Sequence, residues 1–95
     1  MSAEEYELRE RQLNRFRRLI GELLRGETNR NSFEPWEIDL MLDFKDCELP
    51  PRRRTEILCQ YQRAVERQLQ TGPGPPIKLS HFLVLREQRR NALDS

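Results

Sequence analysis

Residues 35–70 read PWEIDLMLDFKDCELPPRRRTEILCQYQRAVERQLQ, and they contain two helical patterns separated by the pair Pro50-Pro51. Proline fits the first turn of a helix and disfavours helix in the residue before it, so this pair ends one helix and starts another. After the pair, apolar residues cover about 140° of a helical wheel and polar residues cover the rest. The pattern predicts an amphipathic helix from residue 55 to residue 70. Its apolar positions are Ile57, Leu58, Tyr61, Ala64, Val65 and Leu69.

The pattern before the proline pair has a much wider apolar surface. It starts at Pro35, and its apolar residues cover about 240° of the wheel, which predicts a helix in the middle of the fold. Apolar residues also alternate from Ile38 to Phe44, which leaves a strand as an alternative, but the intervening acidic residues favour helix. We expect the two helices to pack as a pair. The predicted shared core consists of Trp36, Leu40, Phe44, Ile57, Tyr61 and Val65.

An amphipathic helix is also predicted over residues 1–25. Ser2 and Glu5 have the spacing of a capping box, and Gly26 is suited to end the helix. One stripe of this helix has almost the spacing of a coiled-coil seam, but it is too short for a stable coiled coil. We therefore expect the stripe to pack on the rest of the domain or on another chain. It contains Leu13, Phe16, Ile20 and Leu23.

Glycine and proline dominate the segment that follows the second helical pattern of the 35–70 stretch. Gly72 is a suitable residue to end that helix, and residues 72–79 predict a short, stiff linker. Ser80 is a suitable N-cap for a last helix over residues 80–95. The predicted fold is all-α, with three main helices and a fourth C-terminal helix after the linker. We interpret the N-terminal helix (1–25), a central helical hairpin (33–71), the linker and the last helix as one domain.

The composition excludes several classes of protein. Only 36% of the 95 residues are hydrophobic, and the formal net charge is +1, so the chain should fold around a lean core. No apolar run is long enough for a membrane span. Two cysteines and one histidine offer no metal-ligand pattern, and no glycine-rich phosphate loop occurs. We expect no catalytic residues, no cofactor, no metal and no small-molecule substrate, and the cysteine content favours a cytoplasmic protein.

Arginine clusters are the most unusual local feature of the chain. Arg52, Arg53 and Arg54 follow the proline pair, where the helix dipole disfavours positive charge. Either the acidic residues of the preceding helix pair with them, or an external phosphate or protein carboxylate does. The acidic candidates are Asp39, Asp43, Asp46 and Glu48. A second set could form a basic face for nucleic acid, and it consists of Arg63, Arg67, Arg86, Arg89 and Arg90.

These patterns predict a non-enzymatic helical interaction module, an adaptor or accessory subunit of a larger assembly. Its partner would be another protein or a second copy of the chain, with no membrane involved. The alternative is a nucleic-acid-associated regulator or ribonucleoprotein component that binds phosphate through arginines. Trp36 is either an interface anchor or a core residue. The candidate interaction residues are Leu13, Phe16, Ile20, Leu23, Trp36, Arg52, Arg53, Arg54, Arg86, Arg89 and Arg90.

Overall fold

The computed structural model describes residues 3–72 and 74–94, which form an all-α fold as predicted. The helices are α1 (Ala3–Arg25), α2 (Pro35–Cys47), α3 (Arg54–Thr71) and α4 (Leu79–Asp94). Ser2, the predicted N-cap of α1, lies outside the described residues. The strand alternative for residues 38–44 is wrong, because this segment belongs to α2.

Glycine and proline define several helix ends as the sequence predicts. Pro35 is the first residue of α2. Gly26 has a φ of 70°, and its amide donates to the Leu23 carbonyl at 3.3 Å, while the Glu27 amide donates to the Glu22 carbonyl at 3.1 Å. This pair of bonds is a Schellman ending, which satisfies two of the last carbonyls of α1. Gly72 differs, because its backbone is extended and needs no glycine.

The core forms mainly where α1 contacts α3, the most extensive helix–helix contact in the described chain. The stripe of α1 predicted as a possible partner surface lies in this contact, so Leu13, Phe16 and Ile20 are buried and Leu23 is half-buried. The Phe16 ring meets the Tyr61 ring edge-on, with centroids 5.5 Å apart. The domain therefore covers its own seam, and α1 is a core helix rather than a free interaction surface.

The helix α2 lies against α4 and, less extensively, against α1. The predicted direct pairing of α2 with α3 is therefore not the main packing of either helix. The six predicted core residues do belong to one cluster: Leu40, Ile57, Tyr61 and Val65 are buried, and Trp36 and Phe44 are half-buried against them.

The predicted central position of α2 is wrong. Leu40 and Glu37 are its only fully buried residues, whereas Ile38 is 46% exposed and Leu42 is 57% exposed. The apolar surface of α2 is wider than its contacts with α4 and α1 can cover. Part of this apolar surface therefore remains exposed to solvent. No helix in the described residues is long and apolar enough to cross a membrane.

Candidate functional site

The linker before α4 is fixed to α3 by one glutamine and one tyrosine. The Gln68 amide nitrogen donates to the Pro75 carbonyl at 2.8 Å, and the Ile77 amide donates to the Gln68 side-chain oxygen at 3.0 Å. About two helical turns earlier on α3, the Tyr61 hydroxyl donates to the Ile77 carbonyl at 2.5 Å. Burial raises the pKa of this hydroxyl, so it remains a donor at any physiological pH. These bonds place the start of α4 beside α3.

The amino end of α4 is capped by another helix rather than by Ser80. The helix begins at Leu79, and the Phe82 amide donates to the Lys78 carbonyl at 3.0 Å, so Ser80 lies in the first turn. Its backbone amide donates to the Asp43 carboxylate of α2 at 3.0 Å. The prediction of Ser80 as the N-cap is therefore corrected. A carboxylate at this position satisfies a free amide and complements the helix dipole.

A groove of about 400 Å³ lies between α3 and α4 as a result of this placement. Arg63 and Arg67 are one turn apart on α3, and Arg86 and Arg89 are three residues apart on α4, so each pair follows one helix face. We call this site the arginine groove. Its other lining residues are Gln60, Ala64, Ile77, Phe82 and Leu85.

The arginine groove has charged rims and an apolar floor. Ile77 and Phe82 are half-buried and Leu85 is 46% exposed, so apolar surface remains open to solvent between the two rows of guanidinium groups. In the described part of the chain, no carboxylate lies within ion-pair distance of Arg63, Arg67, Arg86 or Arg89. The groove therefore concentrates four positive charges beside apolar walls, which strengthens its field toward an anion.

Arg17 on the neighbouring helix α1 differs from the groove arginines, because it has a carboxylate partner. Arg17 on α1 meets Glu66 on α3, with 2.6 Å between Nε and Oε1. Glu66 lies between Arg63 and Arg67 in sequence, but its carboxylate faces α1. It pairs with Arg17 there and does not neutralise the arginines of the groove. The groove therefore receives no counter-charge from Glu66.

A second set of arginines belongs to an ion-pair network around the buried Glu37 side chain, and sequence reasoning missed it. The Glu37 side chain is fully buried and accepts from Arg15 Nε at 2.9 Å and from the Glu34 amide at 2.9 Å. Arg30 joins this network, because its guanidinium contacts both Glu37 and Glu22, with 3.0 Å from Nε to Glu22 Oε1. Arg30 belongs to a segment with only a polar pattern, so no periodicity distinguishes it from a solvated connector.

The network holds its charges in the ionised form. Burial alone opposes the charge of Glu37, but the bonds from the Glu34 amide, Arg15 and Arg30 outweigh it, so the pKa of this carboxyl is lowered. The bonds to Glu22 and Glu37 likewise outweigh the burial of Arg30 and raise its pKa. All four side chains thus serve the packing of α1, α2 and their connector. Glu37 has no geometry for acid–base catalysis, because it is inaccessible and already saturated with donors.

The predicted Arg52–Arg54 cluster divides into two environments. Arg52 and Arg53 are exposed in the turn before α3, whereas Arg54 is half-buried in the first turn with its guanidinium 5.8 Å from the centre of the Phe44 ring. The predicted local pairing with acidic residues of α2 is not formed in the described chain, and Asp43 instead binds α4. A cation–π contact compensates Arg54 in part. The external anion remains a prediction for Arg52 and Arg53.

The remaining candidate interaction residues lie at different places on the surface. Arg86 and Arg89 line the arginine groove, whereas Arg90 is exposed and lies outside its lining. Trp36 is half-buried, and it lines a smaller hollow of about 270 Å³ near the start of α2. Arg15 borders the same hollow, but Glu37 already pairs with it. Among the described residues, no cluster of three potential ligands could hold a metal ion.

No family model, curated protein or solved structure matches this chain. The function is therefore inferred from the geometry of the arginine groove.

Proposed function

We propose that the protein is a non-enzymatic helical interaction module, an adaptor or accessory subunit, that binds an acidic amphipathic segment of a protein in the arginine groove. One observation carries this proposal: the groove combines four arginines, none paired with a carboxylate of the described residues, with an exposed apolar floor. Arginine, aromatic and apolar side chains are the groups that protein interfaces use as anchors. A helix laid in such a groove would cover the floor and pair its acidic flanks with the rims.

The lining of the groove supports a binding role rather than a catalytic one. Its polar side chains are arginines and Gln60, with no carboxylate, histidine or cysteine that could act as a general base or nucleophile. Cys47 and Cys59 are both free thiols, which supports the proposal that the protein works in the reducing cytoplasm.

The proposal can be tested with two synthetic amphipathic helices that share one stripe of leucines. One carries glutamates on both flanks of the stripe and the other carries lysines. We expect fluorescence anisotropy to show that the acidic helix binds at least about tenfold more tightly, a difference of about 1.4 kcal/mol. The preference should disappear in the Arg63→Glu/Arg67→Glu variant.

The matched control makes the same change of charge outside the groove. Arg52→Glu/Arg53→Glu alters two exposed arginines that do not line the groove, so the preference for the acidic helix should persist. Equal binding of the acidic and basic helices by the unmodified protein would contradict the proposal. So would an equal loss of binding in both variants, because the effect would then come from net charge alone.

A phosphate backbone is the second candidate for the groove, because rows of arginines also suit phosphate. The formal net charge of only +1 argues against it, since a dedicated nucleic-acid binder is normally strongly basic. A phosphate backbone would also leave the apolar floor uncovered. Binding of single-stranded and duplex oligonucleotides, measured against salt concentration, separates the candidates. Tight binding with a steep salt slope that Arg63→Glu/Arg67→Glu abolishes would favour nucleic acid.

A further inference from the structure

The exposed face of α2 combines apolar side chains with carboxylates, whereas the lining of the arginine groove contains no carboxylate. Ile38 and Leu42 are one helical turn apart, and they are 46% and 57% exposed. Asp39 and Asp46 lie together along one side of this apolar pair on the helical wheel, and both are exposed. We call these four side chains the outer face of α2. An apolar pair with an acidic flank is the pattern that an arginine-rimmed apolar groove would bind.

Only some of the acidic side chains of α2 form ion pairs or hydrogen bonds within the described chain, so the others are available to bind a partner. Residues 34–48 contain six acidic residues and one lysine. Glu37 forms ion pairs in the buried network, and Asp43 accepts the hydrogen bond that caps α4. The acids of the outer face, Asp39 and Asp46, form no ion pair with the described residues. Among the described residues, the acidic surface and the basic groove therefore both lack ion-pair partners, although the net charge of the chain is close to zero.

We infer that the partner in the arginine groove is a second copy of this chain, whose outer face of α2 docks between α3 and α4. The inference rests on the proposed function, since it names the protein that the groove binds. Charge complementarity carries it: the four arginines that line the groove have no carboxylate partner among the described residues, and the acidic flank belongs to the same chain. Docking would also cover Ile38, Leu42 and Leu85, which are all exposed in the single chain.

A two-fold symmetric dimer is the closed arrangement of this contact. The helix α4 contacts α2 and also forms one wall of the arginine groove. In a symmetric pair, each chain would present its α2 to the groove of the other, and the same contact would form twice. A pair of this kind closes on itself and leaves no unfilled groove.

The test is a charge swap measured by sedimentation equilibrium on the full chain. We expect the unmodified protein to dimerise. Arg63→Glu/Arg67→Glu should weaken the dimer by more than about tenfold, and so should Asp39→Arg/Asp46→Arg, because each change opposes like charges at both contacts. All four residues are exposed or outside the core, so circular dichroism should show unchanged helix content.

Mixing the two variants gives the decisive result. A chain with a reversed groove and a chain with a reversed α2 are complementary at both contacts, so the mixture should form a heterodimer at concentrations where each variant alone is monomeric. Arg52→Glu/Arg53→Glu, which reverses two exposed charges elsewhere, should dimerise like the unmodified protein. A mixture that remains monomeric would overturn the inference.

The failure of this inference can be distinguished from the failure of the proposed function. If the unmodified protein is monomeric at all concentrations yet binds the acidic synthetic helix through Arg63 and Arg67, only the second copy is wrong as the partner. If it is monomeric and also has no preference for the acidic helix, both proposals are wrong. If it dimerises but neither charge reversal weakens the dimer, the interface lies elsewhere and the inference is overturned.

Discussion

Two groups of arginines in this small protein have opposite surroundings. Arg15 and Arg30 contact the carboxylates of Glu22 and Glu37 inside the junction of α1, α2 and their connector. The arginines of the arginine groove have no carboxylate partner in the described part of the chain, and they border solvent. Residue type alone therefore does not assign a role to an arginine in this protein. The arginines that pair with buried carboxylates stabilise the fold. The arginines without such a partner are available to bind another molecule.

The free-energy consequences of losing a charge differ between the two groups. A buried ion pair has already lost its hydration, so removal of one partner leaves a buried charge with no compensation. An arginine in the open groove keeps most of its hydration, and its removal costs the fold little. Stability measurements should therefore separate the groups, and binding measurements should separate them in the reverse order.

The largest effect on stability is expected from Glu37→Gln. This change leaves Arg15 and Arg30 without their shared counter-charge in a buried site, and it should lower the free energy of unfolding by about 3–5 kcal/mol. Chemical denaturation measures the effect. The control is Glu27→Gln, an exposed residue of the same connector, which should change stability by less than about 0.5 kcal/mol. Equal effects of the two changes would mean that the network does not stabilise the fold.

Acid should reveal the same network without any mutation. The pKa of Glu37 is lowered in the folded protein, so the folded state binds this proton less readily than the unfolded state does. Its contribution to stability is complete above the ordinary glutamate pKa of 4.5 and is lost as the pH falls through the lower, folded value. The melting temperature should therefore fall below pH 4.5, and Glu37→Gln should flatten this acid limb. An acid limb of the same slope in both proteins would assign it to other carboxyl groups.

A smaller effect is expected where one carboxylate meets one backbone amide. Asp43→Ala removes the acceptor for the Ser80 amide and should cost about 0.5–2 kcal/mol, the usual range for a lost helix cap. Asp43→Asn keeps an oxygen acceptor and should lose less. Hydrogen exchange at the first turn of α4 should accelerate in Asp43→Ala. Unchanged exchange there would show that packing alone positions this helix.

The smallest effect on stability is expected in the arginine groove. Arg63→Gln/Arg67→Gln keeps good helix formers and apolar stems but removes two charges, so stability should change by less than about 0.5 kcal/mol. Removal of like charges could even raise it slightly. Binding of the acidic helix should fall in the same variant. A loss of stability as large as that of Glu37→Gln would show that these arginines also hold the fold.

Local features explain why much of the fold could be predicted from the sequence. Pro35 and Gly26 act on the backbone of their own neighbours, and both have the predicted positions at helix ends. The apolar stripe of α3 has Ile57, Leu58, Tyr61, Val65 and Leu69 buried, because a strong helical period allows only one buried face. Ser80 shows the limit, since a better acceptor from another helix takes the role that local sequence assigns to it.

The arginine groove could be predicted only in part. The spacing of Arg63 and Arg67, and of Arg86 and Arg89, shows that each pair shares a helix face. Nothing in that spacing brings the two faces together, which requires the bonds of Gln68 and Tyr61 to the linker. The sequence pattern groups Arg90 with the same set, but Arg90 does not line the groove.

The sequence alone is enough to establish that this protein is all-α, where most of its helices begin and end, and that arginine is its main basic residue. These properties depend on periodicity, on backbone preferences and on composition, all of which act within a few residues. Tertiary contacts decide that α1 pairs with α3 and α2 with α4, and that the side chains of Arg30 and Glu37 are buried. They also leave the groove arginines without a carboxylate partner among the described residues. Such outcomes depend on which distant side chains meet, because a charge is neutralised by its neighbours in space rather than by its neighbours along the chain.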